Sequence, residues 1–373
     1  MRTIVYLINV DWFFVSHFLH LARRARGDGC DVILATHCDR HRTALEAEGI
    51  TIVDLPARRA GLVPSGLRET IAVVARILKN NPNAILHGFG KFGILTGTFA
   101  CRAQAPARRV YTITGRGYSA ASQGLGMRLL GTSFRIFCRR AADQEQTRWI
   151  AENTADIAAL GLERARGEGR VAVVGGAGVD PDVFSPAPLP PRPPLRAALV
   201  ARLIWSKGVD VAITAVEMAR ARGANIELTL AGEPDPANPR SLSGDELRAL
   251  DGRNGVRWIG RSDDVPALWA SHHVALLPSR GGEGVPKSLI EAAACGRPIV
   301  TTQVPGCSEL ARATDGWIVR PGDAAALAEC LISIAADEAL EARGIAARNA
   351  ILADYTEAAI WETTKRIYAG LGA

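Results

Sequence analysis

The chain has 373 residues, of which 48% are apolar, 22% charged and 6% aromatic. That length predicts two domains of roughly 100–200 residues each, and the composition excludes a disordered chain, a collagen and a coiled coil. The formal charge of +6 (44 Lys+Arg less 38 Asp+Glu) is uneven: through Asp182 there are 24 basic and 16 acidic residues, a net of +8, which leaves 20 and 22, a net of −2, for the remainder. A basic first half suits an anionic membrane, a polyphosphate or a nucleic acid, and the alternative is an arginine-biased solvated surface.

In chain order the pattern repeats strand, loop, helix. Short apolar runs of the buried parallel type are expected at Thr3–Ile8, Asp31–Thr36, Thr51–Leu55, Ala84–His87, Arg109–Thr114 and Arg170–Val174. Helical spacing falls between them, at Val15–Arg26, Arg42–Glu48, Arg68–Lys79, Gly93–Ala103 and Leu125–Arg140, and Gln144–Asn153 reads as a short strand or helix. The run Asp182–Leu195 contains six prolines, which fix φ and remove N–H donors, so it reads as a stiff linker. The pattern then restarts. Strands are expected at Arg196–Val200, Ile226–Ala231, Val256–Ile259 and Val274–Leu277, and helices at Gly208–Arg222, Glu246–Arg253, Val265–Ser271 and Pro286–Cys295. Elements at 298–301, 307–311 and 316–319 complete the set, followed by helices at 324–336 and 338–351 and an amphipathic one at 356–370. Such alternation implies α/β architecture: two Rossmann-like domains, 1–184 and 185–355, with parallel sheets whose carboxyl edges face across a cleft. The terminal helix, 356–373, is expected to cross back to the first domain.

The seven cysteines include no C-x-x-C pair and several sit in apolar stretches, so they read as small buried residues in a reducing compartment. The run Ile4–Leu21 is broken by Asn9, Asp11, Ser16 and His17 and carries no cleavage pattern, and no 18-residue apolar stretch exists. A cytoplasmic protein is the expectation.

The most informative segment is Leu277–Thr301, LPSRGGEGVPKSLIEAAACGRPIVT. A strand ends at Leu277, a glycine-rich loop lets backbone approach a ligand, and a helix opening near Pro286 aims N–H groups at an anion. Glu283 in the loop and Glu291 on the helix are eight apart and can face the two ends of one ligand. Carboxylates take vicinal hydroxyls well, which suits a sugar and a ribose. A second block, Leu199-Val-Ala-Arg-Leu-Ile-Trp-Ser-Lys-Gly208, puts Arg202 and Lys207 at a strand end, where two cations neutralise a pyrophosphate.

These blocks resemble the donor-site signature of retaining GT-B glycosyltransferases of family 4. The resemblance extends over most of the chain: Val256–Pro266 looks like the stretch that contacts the base through Ile259, Gly260 and Arg261, Gly175–Phe184 like the approach to the interdomain linker, and Val304–Glu309 like a loop beyond the glutamates. The N-terminal Asn9–His17 and Tyr111–Tyr118 resemble a bacterial subgroup that builds capsule, O-antigen or exopolysaccharide on a polyprenyl-diphosphate lipid. The resemblance implies transfer of a hexose or N-acetylhexosamine from a UDP-sugar to a lipid-linked saccharide, with retention. Arg202 and Lys207 would hold the diphosphate, Glu291 the ribose and Glu283 the donor sugar, with Gly282 and the backbone of Gly284, Val285, Pro286 and Lys287 assisting.

The sequence departs from the pattern where many members carry a histidine after the strand near 111–114: Thr112 and Thr114 stand there. His87 is a candidate substitute, and His17, Thr114 and Arg116 are candidates for the acceptor side. Asp180-Pro-Asp182 resembles a metal-binding D-x-D, but it lies at the linker and the cations already serve the phosphates, so neither metal nor cofactor is expected. Gly115-x-Gly117 lacks the remainder of a dinucleotide fingerprint. On the helix Leu125–Arg140, Leu130, Phe134 and Phe137 share one face and Arg128, Arg135 and Arg139 another. That is either a peripheral contact with the inner face of the cytoplasmic membrane or a core-facing helix with a solvated side. No nucleic-acid partner is expected. The alternatives are a UDP-sugar 2-epimerase of the same architecture and a non-catalytic nucleotide-sugar-binding subunit.

Overall fold

The computed structural model describes residues 2–56, 64–102, 108–115, 125–236, 238 and 240–372. The described residues form two compact units, the first from those up to 115, 125–177 and 357–372, the second from those of 178–356.

The first unit is built on a seven-stranded parallel sheet, β1 (Thr3–Val10), β2 (Asp31–His37), β3 (Thr51–Asp54), β4 (Ile85–Phe89), β5 (Arg108–Ile113), β6 (Thr147–Ala151) and β7 (Val171–Val173), in the order β3-β2-β1-β4-β5-β6-β7. Strand order reverses between β1 and β4, where Tyr6 lies beside His87. Its helices are α1 (Asp11–His17), α2 (Leu19–Gly27), α3 (Arg42–Ala47), α4 (Pro64–Asn80), α5 (Gly90–Arg102), α6 (Leu125–Ala142), α7 (Thr154–Leu160) and α8 (Glu163–Gly167). The helix expected at Val15–Arg26 is two helices, because Phe18 leaves helical geometry at φ −133. The 144–153 segment is the strand β6. Helices α7 and α8 were not anticipated; Asn153 caps the first and Gly161 ends it in the left-handed region.

The second unit repeats the plan with β8 (Leu195–Val200), β9 (Ile226–Ala231), β10 (Val256–Trp258), β11 (Val274–Leu277), β12 (Ile299–Thr302) and β13 (Trp317–Val319), ordered β10-β9-β8-β11-β12-β13. Its helices are α9 (Val209–Ala221), α10 (Gly244–Leu250), α11 (Val265–Ala270), α12 (Lys287–Ala294), α13 (Cys307–Ala313), α14 (Ala324–Ala335) and α15 (Leu340–Asp354). The reversal lies between β8 and β11, which pair through Ala197 and Val274. In open α/β sheets ligands bind beyond the carboxyl ends of the strands at such a reversal.

The first boundary differs from the expected 184/185. Residues 178–184 belong to the second unit because Val179 donates its N–H to the Tyr355 carbonyl at 3.0 Å and pairs with Thr356, while the carbonyl of Phe184 accepts from Arg348 at 2.8 Å. The terminal helix α16 (Glu357–Ala369) packs on the first sheet, burying Ile360, Trp361 and Tyr368 among Tyr6, Phe14 and Ile85.

Candidate active site

The site assembles on the carboxyl edge of the second sheet. Past β8 the chain runs through Arg202 into a short 3₁₀ turn, Trp205–Lys207, and closes at Gly208. Gly208 has φ +71, and a Cβ there would stand 1.9 Å from the carbonyl oxygen of Pro278. Only glycine lets the β8 loop pass this close to the β11 loop. That approach brings Lys207 to Glu283: Nζ lies 2.7 Å from Oε2, with side-chain exposures of 18% and 11%.

The loop bearing Glu283 is fixed from below. Ser279 Oγ lies 2.8 Å from Glu283 Oε1, and the Ser279 carbonyl accepts from Thr302 Oγ1 at 2.6 Å. The N-terminus of α13 braces it as well, since Gly306 (φ +78) approaches Gly284 so closely that a Cβ would lie 1.7 Å from its carbonyl oxygen. Cys307, buried beside Glu283, has its thiol pushed up to about 12 by burial, with the carboxylate adding to the effect, so it stays protonated. Arg280 anchors the same loop. Its guanidinium makes a bidentate pair with Asp210 on α9, at 2.6 and 2.7 Å, donates to the Trp205 carbonyl at 3.0 Å, and lies 4.7 Å from the Trp205 ring centroid.

Glu291 stands one turn into α12, with Lys287 Nζ at 3.5 Å and 12% of its side chain exposed. Burial raises its carboxyl pKa, and Lys287 opposes part of that rise. Arg202 is half-exposed and pairs with the buried Asp235 at 2.5 Å. Ile259, Gly260 and Arg261 follow β10 on the same edge, where Gly260 accepts from the Gly232 N–H at 2.7 Å. Arg261 is exposed, 3.8 Å from Asp263, and makes no described contact with the Lys207–Glu283 pair. The side chain of Val285 packs inward with Leu289 and Ile290. One expectation changes. Pro286, the N-cap of α12, has no N–H to offer.

In the first unit His17 is half-buried on α1, its Nδ1 2.7 Å from Ser16 Oγ and its ring 4.3 Å from that of Phe13. Thr114 is half-buried just past β5. Arg116 lies outside the described residues. The expected contact of His87 with a substrate is corrected. His87 is fully buried within β4, with Nδ1 2.6 Å from the Tyr368 hydroxyl and Nε2 2.6 Å from Thr112 Oγ1, so both nitrogens are spent inside the fold. Asp180 Oδ1 accepts the Asp182 N–H at 3.0 Å, a local turn bond.

Sequence reasoning missed Asp235, the Arg280–Asp210 clip and Asp11. The fully buried carboxylate of Asp11 accepts the consecutive N–H groups of Asp39, Arg40 and His41 at 3.0, 2.9 and 2.8 Å. Burial works against its charge, but these bonds hold its carboxyl below the ordinary range.

Residues 195–337 match the family described as "Glycosyl transferases group 1", and residues 3–142 match "Glycosyl transferase 4-like". A glycosyltransferase named for colanic acid biosynthesis in Escherichia coli is 37% identical over 162 residues, covering 41% of this chain and 39% of its own length. The first relatives are thus matched over well under half of their length, 39% and 44%. An N,N′-diacetylbacillosaminyl-diphospho-undecaprenol α-1,3-N-acetylgalactosaminyltransferase of Campylobacter jejuni is 25% identical over 350 residues, covering 87% of this chain and 88% of that protein. Among solved structures, Anabaena HepE in complex with UDP and glucose superposes with a TM-score of 0.76 at 18% identity, covering 98% and 99% of the two chains. A sucrose-phosphate synthase of Thermosynechococcus elongatus gives 0.78 at 18% identity, covering 100% and 99%. One glycosyltransferase model falls on each Rossmann-like unit, and together they cover most of the chain: it is built of a 4-like and a group 1 glycosyl transferase domain on a GT-B fold.

Proposed function

We propose that the protein transfers a hexose or N-acetylhexosamine from a UDP-sugar to a lipid-linked saccharide during surface-polysaccharide synthesis, with retention at the anomeric carbon. The observation that carries this reading is the Lys207–Glu283 pair at 2.7 Å, set with Arg202 beyond the reversal of the second sheet. Lys207 and Arg202 neutralise the diphosphate and stabilise it as it departs. Glu283, held by Ser279 and Lys207, accepts hydroxyls of the donor sugar, and Glu291 accepts those of the ribose. No covalent role is assigned to Glu283; the acceptor hydroxyl attacks on the face that the diphosphate leaves, and the leaving phosphate takes its proton.

The UDP complex of HepE supports the nucleotide. The name of the Campylobacter relative supports a polyprenyl-diphosphate acceptor. Exposed Leu129, Leu130 and Ile136 on α6, next to exposed Arg135, Arg139 and Arg140, support approach to an anionic bilayer.

The test is transfer by purified protein from a panel of UDP-sugars to a synthetic polyprenyl-diphosphate sugar, with anomeric configuration read by NMR. Glu283→Ala and Lys207→Ala are each expected to lower kcat by about 10²–10³-fold, the scale of losing one charge-stabilising group. Thermal stabilisation by GDP but not UDP would sink the donor assignment, and an inverted product would sink retention.

A further inference from the structure

Arg202 is the more exposed half of its ion pair. Its side chain is 46% exposed, whereas that of Asp235 is 6% exposed. The carboxylate is the fixed partner because the loop that follows β9 is fastened at several points. The Asp235 N–H donates to Ser241 Oγ at 2.8 Å, and its carbonyl accepts from the Asn238 N–H at 2.8 Å. The same loop grips the Arg202 segment on both sides. Leu203 donates to the Glu233 carbonyl at 3.0 Å, Trp205 donates to the Arg240 carbonyl at 2.8 Å, and Ile204 and Ser241 form an antiparallel bridge. The Arg240 guanidinium lies 3.5 Å from the centroid of the Trp205 ring.

A free arginine side chain carries substantial rotamer entropy, part of which is lost whenever it binds an anion. One charge-assisted bond from a rigid carboxylate removes that loss in advance. It engages Nη1 alone and leaves the rest of a five-donor fork available. A carboxylate this well covered does not occupy the space of a ligand. The β9 loop adjoins β8 on the side away from β11, so it steadies the cation without crowding Glu283.

We propose that Asp235 is a positioning residue for the donor diphosphate: it holds Arg202 in the orientation that a pyrophosphate needs. The proposal deepens the donor-site reading and rests on it. The experiment is calorimetric titration of wild type, Asp235→Asn, Arg202→Ala and the double variant with UDP and with uridine at one salt concentration. Wild type is expected to prefer UDP over uridine by at least about tenfold, and Arg202→Ala to lose most of that preference. If either fails, the donor-site reading itself is wrong. With both in place, Asp235→Asn is expected to weaken UDP about tenfold and uridine by less than twofold, and the double variant to match Arg202→Ala within twofold. Equal losses for UDP and uridine would mark Asp235 as merely structural. An unchanged preference in Asp235→Asn, a further tenfold loss in the double variant, or tighter UDP binding by Asp235→Asn would each overturn the proposal.

Discussion

Glu291 is a site carboxylate whose ionisation the fold opposes. Burial raises its carboxyl pKa, and Lys287 one turn earlier recovers part of the loss. A carboxyl raised on folding stabilises the native state below its unfolded pKa, and that contribution is lost as pH rises through the folded value. Glu291→Gln is therefore expected to raise the melting temperature of the ligand-free protein at pH 8, and to raise it much less near pH 4.5. The same change removes a charged acceptor for the ribose hydroxyls, a bond worth about 1.5–3 kcal/mol, so UDP is expected to bind roughly 10–100-fold more weakly. A stabilised variant that still bound UDP normally would remove Glu291 from the ribose site. Lys207 and Glu283 follow a different rule. Both are largely covered, so truncating either leaves the other charge uncompensated, a change that costs about 3–5 kcal/mol in buried pairs.

The C-terminal helix shows how one element is tied down. Tyr368 on α16 bonds His87 in β4, and His87 bonds Thr112 in β5, so a chain of side chains joins the last helix to two central strands. Burial depresses the His87 pKa to about 3. A histidine depressed on folding contributes stability that is complete above its unfolded pKa near 6.5 and is lost as pH falls toward the folded value. Replacement by phenylalanine keeps the ring and removes the titration. His87→Phe is expected to be less stable than wild type by about 2 kcal/mol at pH 8, for two lost hydrogen bonds, with the difference shrinking between pH 6.5 and 4. Urea unfolding across that range measures it, and a difference that stayed constant with pH would show that His87 does not remain neutral. Donor affinity should not change, because His87 lies in the first unit.

Across the whole molecule the charge divides into a basic first half and a near-neutral second, +8 and −2 through and beyond Asp182. On α6 the sequence grouped Leu130 with Phe134 and Phe137. In the fold both phenylalanines pack against the cluster that contains Ile94 and Trp149, while Leu129 and Leu130 are 62% and 64% exposed. No helix among the described residues is long and apolar enough to cross a membrane. Full-length protein is expected to co-sediment with phosphatidylglycerol vesicles far more than with phosphatidylcholine ones, and less as salt rises. Replacing Leu129 and Leu130 by glutamine is expected to cut the bound fraction at least tenfold, since each buried leucine is worth about 1.5–3 kcal/mol. Equal binding by wild type and the double variant would remove α6 from any membrane contact.

What the sequence determined by itself was local. Apolar runs bounded by glycine and proline mark the strands, 3.6-residue spacing marks most helices, and the proline run signals a second unit from a few residues inside its start. The spacing of Glu283 and Glu291 places one on a loop and one on a helix, and Arg202 and Lys207 fall at a strand end for the same reason: a few residues of backbone geometry decide it. Tertiary structure decided which strand ends are neighbours. Asp235 lies 33 residues from Arg202, and Arg280 lies 70 from Asp210, so neither pairing leaves a periodic trace. It also decided exposure. A histidine at a strand end reads alike whether it faces a ligand or a core, and His87 became structural only because α16, 281 residues later at Tyr368, supplies its partner and its cover. Periodicity is a property of the backbone nearby; burial and ion pairing depend on what the rest of the chain brings alongside.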